Sequence, residues 1–188
     1  MVITEPGRLE VLVNGWLMSA VGRFWYWGFI NSMGLRGDER IIDYGSGTGI
    51  GAWCAAQVLK NGHVTCVDVS KAWLDAARRR LGGFDNVDFR LGDICTLGLP
   101  GGAYDGIIVS FVLHDIDRED RPTKVKCLAD RLKAGGKIFL KEPLGANHGM
   151  PAREVDVLMR GAGMAAERSA EVYMPTMGRC IEATYVKK

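Results

Sequence analysis

From Arg40 to Lys141, short β-branched apolar runs alternate with segments long enough for two or three turns of helix. The strand-like runs are Arg40–Tyr44, His63–Asp68, Val87–Leu91, Tyr104–Ser110 and Lys137–Lys141; between them lie the helical stretches Ile50–Asn61, Lys71–Leu81 and Arg118–Leu132. Parallel strands need long crossovers, and crossover helices cover both faces of the sheet, so such strands are apolar throughout instead of alternating. The pattern therefore restricts the chain to an α/β architecture on a mainly parallel sheet. After Pro151 a helix to about Gly161 leads into two late runs, Glu167–Tyr173 and Arg179–Val186, separated only by a turn around Pro175–Gly178. A connection this short implies antiparallel pairing. The expected fold is a doubly wound, Rossmann-like sheet of seven strands, mostly parallel with an antiparallel last strand.

At 188 residues, without repeats or linkers, the chain reads as one domain over 1–188. Residues 1–36 would form an N-terminal helical lid and 37–188 the core. Lys and Arg total 24 against 22 Asp and Glu, a net charge of +2 with no basic stripe, which excludes nucleic acid as the expected partner. Residues 9–33 are apolar and aromatic but carry Arg23, Asn14, Ser19, Asn31 and Ser32. A membrane-spanning helix wants roughly 20 consecutive, mostly apolar residues, so two helices broken near Ser19–Gly22 are expected. The consecutive rings Phe24, Trp25, Tyr26 and Trp27 cannot all face one side of a helix. Some should pack on the sheet, while others, Tyr26 among them, wall an acceptor pocket or make peripheral membrane contact. Thr4 to Arg8 interrupt any early apolar core, so no secretory leader is expected and the compartment reads as cytoplasm. Five cysteines, widely spaced and without C-x-x-C, suggest structural thiols, with neither a disulfide framework nor a metal site.

Glycine is in excess, 25 of 188, against a usual share of about 7%. Four of these lie in Ile41-Ile42-Asp43-Tyr44-Gly45-Ser46-Gly47-Thr48-Gly49-Ile50-Gly51, where a strand runs through a glycine turn into a helix. That geometry brings backbone N–H groups and a helix N-terminus to a ligand. Two frames compete. From Gly47 the run fits a dinucleotide fingerprint, with Asp68 about 20 residues on. From Gly45 it reads D-x-G-x-G-x-G. The strand enters directly at Gly45, and Asp43 would repel a pyrophosphate yet tolerate a positively charged sulfonium, so the second frame is favoured.

Together with VTCVDVS, VDFRLGDI, YDGIIVSFVLHDI and LKAGGKIFLKEP, this loop resembles the class I S-adenosylmethionine-dependent methyltransferases, in matching order across most of residues 40–143. Within that class the N-terminal stretch NGWLMSAVGRFWYWGFINSMGLRGDERIIDYGSGTG and the SFVLHDI segment are most similar to the ubiquinone/menaquinone C-methyltransferase-like group. The resemblance implies S-adenosyl-L-methionine as cofactor and S-adenosyl-L-homocysteine as product. It places Gly45, Ser46, Gly47 and Gly49 around the amino acid part of the cofactor with Asp43 nearby, Asp68 on the ribose, and Asp93 with Ile94 at the adenine. Val69 and Trp73 would line the adenine pocket.

Ser110 ends the fourth strand, at the carboxyl edge where ligands of open α/β sheets lie. His114 is the general-base candidate, because its ordinary pKa lies near working pH. His148 and Glu142 are candidates to face the acceptor. The expected acceptor is a small or lipid-like, apolar or aromatic molecule, quinone- or phenol-like. An amine or phospholipid headgroup at a membrane surface is the alternative. A nicotinamide-dependent oxidoreductase using the same loop is a further reading, although no Tyr here has Lys four positions on. A non-catalytic cofactor-binding module and the oligomeric state stay open.

Overall fold

In the computed structural model, residues 6–7, 22–145, 149–175 and 177–188 are described. The strands are β1 (Arg40–Tyr44), β2 (His63–Asp68), β3 (Val87–Leu91), β4 (Tyr104–Ser110), β5 (Leu132–Pro143), β6 (Met164–Met174) and β7 (Gly178–Lys187). They make one seven-stranded sheet in the order β3-β2-β1-β4-β5-β7-β6. β1 with β2, β2 with β3 and β4 with β5 pair in parallel. β7 runs antiparallel to both β5 and β6, which leaves β6 at the edge. The expected fold class stands. β5 starts at Leu132, earlier than expected, because Leu132 pairs with Tyr104 before a register shift brings Gly106 opposite Lys137.

The helices are α1 (Arg23–Asn31), α2 (Ile50–Val58), α3 (Lys71–Leu81), α4 (Arg121–Arg131) and α5 (Ala152–Gly161). α2 stops short of Asn61 because the next residues turn back onto the start of β1. The N–H of Asn61 donates to Gly37 and that of His63 to Glu39. A Cβ at Gly62 would lie 2.3 Å from the Glu39 carbonyl oxygen. α4 begins at Arg121 with Pro122 in its first turn, where a missing N–H costs nothing. Of the two helices expected across 9–33, only the second falls within the described residues, as α1.

The chain divides into two compact units, 2–97 and 98–188. In the first, Ile41, Ile42, Val64, Cys66 and Val67 are fully buried with Ala52, Cys54 and Ala55 of α2. α3 adds Leu74, Ala77 and Leu81, the 3-and-4 spacing of one helix face. On α1, Phe29 and Ile30 are buried, Phe24 is exposed and Tyr26 is half-buried. The Arg23 guanidinium lies 4.6 Å from the Trp53 ring centroid. In the second unit Ile107, Ile108, Val109, Ile138 and Leu140 form the strand core, covered by Val125 and Leu128 of α4 and by Val155 and Met159 of α5. Within it Lys141 and Glu182 make a buried ion pair at 2.7 Å.

Cys54, Cys66 and Cys180 are buried free thiols, as expected. Cys95 and Cys127 depart from the expectation: they are disulfide-bonded. Among the described residues no helix is long and apolar enough to cross a membrane.

Candidate functional site

In the first unit, β1 enters the glycine loop without an intervening turn. Gly45, Gly47 and Gly49 all have left-handed backbones, with φ of 65°, 50° and 75°. The end of β2 holds them there. Val67 O accepts the N–H groups of Gly45 and Ser46 at 2.8 and 3.1 Å, and Asp68 Oδ2 accepts that of Gly47 at 2.8 Å. Gly49 is needed for room as well as conformation, since a Cβ there would lie 2.9 Å from Leu81 Cδ1 and 3.0 Å from Ala77 Cβ. The loop is thus pinned between a carboxylate on one side and α3 on the other.

Asp43 is buried behind the loop. Its Oδ2 accepts the Ala52 N–H at 2.9 Å, and a Cβ at Gly51 would approach the same carboxylate to 3.1 Å. Burial pushes the Asp43 carboxyl up to about 7, against the Ala52 hydrogen bond and aided by the negative charge of Asp68. A carboxyl so placed gains from any cation brought to the loop. The Ser46 hydroxyl is also buried, against the Cys66 thiol. A glycine backbone open to close approach and a buried acid behind it together fit the amino acid part of S-adenosylmethionine and its sulfonium.

Asp68 serves the loop and the start of α3 at once. Oδ2 fixes Gly47, and Oδ1 accepts the Ser70 N–H at 2.9 Å. Asp93 Oδ1 caps its own turn by accepting the Cys95 N–H at 2.9 Å, and Ile94 is fully buried. Val69 is exposed, and Trp73 is half-buried on the first turn of α3, beside the buried Leu74. Tyr44, at the end of β1, precedes the loop. Its buried phenol is pushed above its ordinary range, first by burial and then by the charges of Asp93 and Asp68. A lone Tyr at a strand end gives no pattern by which to find it.

In the second unit, β4 ends at the buried Ser110, and the chain then bends sharply. Phe111 has φ of 58°, among the described residues the one non-glycine position with a left-handed backbone. Such a conformation in a bulky residue is costly and persists only when its surroundings impose it. Here Phe111 N–H donates to Lys141 O at 2.8 Å. The following single turn, Leu113–Asp115, carries His114.

Glu142 lies near the end of β5 and is fully buried. Its Oε1 accepts the N–H groups of Val112 and Leu113 at 2.8 and 2.7 Å, and its Oε2 lies 2.7 Å from His114 Nδ1. The Glu142 carboxylate, expected to face the acceptor, is fully buried and engaged by three donors. Burial works against a charged His114. The hydrogen bond and charge of Glu142, with Asp115, outweigh burial and the opposing charge of Arg121, so the imidazole holds its proton above the usual 6.5. With Nδ1–H given to Glu142, Nε2 is the atom left for proton transfer; it lies 3.3 Å from the exposed carboxylate of Asp115. His148 lies outside the described residues. Tyr26 is on α1, on a different element from both clusters.

Residues 41–136 match the family model described as a methyltransferase domain. Among curated proteins, the chain is 35% identical over 105 residues to a demethylmenaquinone methyltransferase of Clavibacter sepedonicus, covering 55% of this chain and 41% of that protein. It is 28% identical over 135 residues to the ubiquinone/menaquinone biosynthesis C-methyltransferase UbiE of Vibrio cholerae, covering 70% and 51%. The chain therefore spans about half the length of these relatives or less. A solved S-adenosylmethionine-dependent methyltransferase from Aquifex aeolicus superposes with a TM-score of 0.73 at 18% identity, covering 87% of this chain and 89% of that one.

Proposed function

The chain belongs to the S-adenosylmethionine-dependent methyltransferases through its methyltransferase domain, and from that premise we propose that it methylates a small apolar or aromatic acceptor of quinone or phenol type. The bound cofactor supplies a methyl group already activated by its sulfonium. The protein's part is orientation and exclusion of water, with proton removal where the acceptor carries an acidic O–H. The observation that carries this reading is the left-handed glycine loop, locked by Asp68 and backed by Asp43. A dinucleotide pyrophosphate would meet a carboxyl there instead of a neutral backbone.

His114 takes the role of base, with Glu142 holding Nδ1 and Nε2 accepting the acceptor's proton. Because its pKa is raised, turnover should be low at acid pH and rise as pH passes the His114 value. The names of the curated relatives support a quinone-like acceptor.

Calorimetry tests the cofactor: S-adenosylhomocysteine should bind, NAD should not, and Asp68→Ala and Asp93→Ala should each weaken binding at least tenfold. Equal binding by both variants would remove the site assignment. Labelled methyl transfer to quinols and phenols tests the acceptor, and label moving only to amines or lipid headgroups would replace this proposal by the alternative.

A further inference from the structure

The turn that carries His114 is gripped from two sides with opposite chemistry. On one side the Glu142 carboxylate collects N–H groups. On the other, the Arg121 guanidinium of α4 collects carbonyls: Nη2 donates to His114 O at 3.0 Å and Nε to Ile116 O at 2.9 Å. The third edge of the guanidinium is also used. Nη1 donates to Glu154 Oε1 of α5 at 2.8 Å, and Glu154 Oε2 lies 3.3 Å from Arg118 Nη2. The Arg121 and Glu154 side chains are only 12% and 16% exposed, while that of Arg118 is 80% exposed. The buried pair is therefore the structural contact, and Arg118 is a screened outer partner.

We infer that Arg121 is a positioning residue for His114, clamping the backbone on both sides of the histidine while Glu154 braces the clamp. This rests on the reading of His114 as the base. A planar fork with fixed donors suits this arrangement, because one rigid group satisfies two carbonyls two residues apart and a carboxylate. Lysine, with a single ammonium on a flexible stem, cannot span all three. The clamp matters because the turn starts from a strained residue. With Phe111 held in the left-handed region, the segment would relax if released, and His114 would move with it.

The charged groups facing His114 are Glu142 from β5, Asp115 in its own turn and Arg121 from α4. They give the two substitutions at 121 different signatures. Arg121→Lys retains positive charge but loses the fork, so kcat should fall about 10- to 100-fold, the scale of an ångström-sized misplacement, with the His114 titration little moved. Arg121→Gln also removes the charge opposing the imidazolium, so it should lower kcat similarly and move the His114 titration, followed by imidazole NMR, to higher pH. Glu154→Gln keeps both carbonyl bonds and should lower kcat about threefold to tenfold. S-adenosylhomocysteine affinity should stay within twofold in all three. Unchanged kcat in Arg121→Lys together with an unmoved His114 titration in Arg121→Gln would overturn the inference, as would loss of cofactor affinity parallel to kcat. His114→Ala separates the two ideas: full activity in that variant would end the reading of His114 as base, while the titrations in the Arg121 variants still report on the clamp. Should Arg121 variants fail to fold, a Glu154→Gln enzyme with wild-type kcat and pH profile would overturn it alone.

Discussion

The glycine loop and the His114 turn are both bends at the end of a parallel strand, yet they are held in shape by different means. The loop takes its left-handed conformation at glycines, where it costs little, and is fixed by the Val67 carbonyl and the Asp68 carboxylate at the end of β2. The turn takes the same conformation at a phenylalanine and needs Glu142, the Lys141 carbonyl and Arg121 to keep it there. A bend made by glycine is permissive, and its partners Val67, Asp68, Ala77 and Leu81 only have to hold a conformation that costs it little. A bend made against residue preference must be imposed, here by Glu142, 28 to 30 residues on, and by Arg121, 7 residues on.

Gly49 offers the most severe trial of this difference. Gly49→Ala combines a left-handed alanine with a Cβ driven against Leu81 and Ala77, so strain and overpacking together should cost about 3 kcal/mol. Thermal unfolding should show this as a lowered Tm, and calorimetry as lost S-adenosylhomocysteine binding. A variant with wild-type Tm would mean that the loop is not pinned at α3. Glu142→Gln probes the other bend. It should cost about 2 kcal/mol through the weakened charged hydrogen bonds and move the His114 titration to lower pH, because the partner that favours the imidazolium is gone. Cofactor affinity unchanged beside a changed pH profile would show the two bends to be independent; loss of cofactor binding would show that they are not.

The pH dependence of stability turns on Asp43. Its folded value of about 7 lies above the unfolded value of 3.8, so folding favours the protonated acid. That contribution is complete below about pH 4 and lost as pH rises through 7. Compared with the native chain, Asp43→Asn should show a flatter decline of denaturant midpoint between pH 4 and 7. Parallel curves for the two proteins would show that the acid is not held in its neutral form.

The same contrast explains what could be read in advance. Strand–helix alternation and the D-x-G-x-G-x-G run are local patterns, so four strands and the loop were legible to the residue from 40 to 110, and Asp68 sits where the spacing put it. For Glu142, sequence shows that a carboxyl ends a strand and not which donors will close on it. Arg121 and Phe111 left no trace. Each matters through contacts that exist only after β4, β5 and α4 come together, and arginine near a helix start is unremarkable by itself. Tyr44 is like them, as its meaning comes from two acids beyond its own strand.

Phe111 also sets heat resistance and turnover against each other. Glycine at this position would relieve the left-handed backbone by roughly 1–2 kcal/mol and leave the Lys141 carbonyl its donor. A library screened only for survival on heating should therefore drift toward glycine here. The looser turn would then let His114 wander, so the same library screened for methyl transfer should keep the aromatic residue. Position 111 is where those two pressures would leave different sequences.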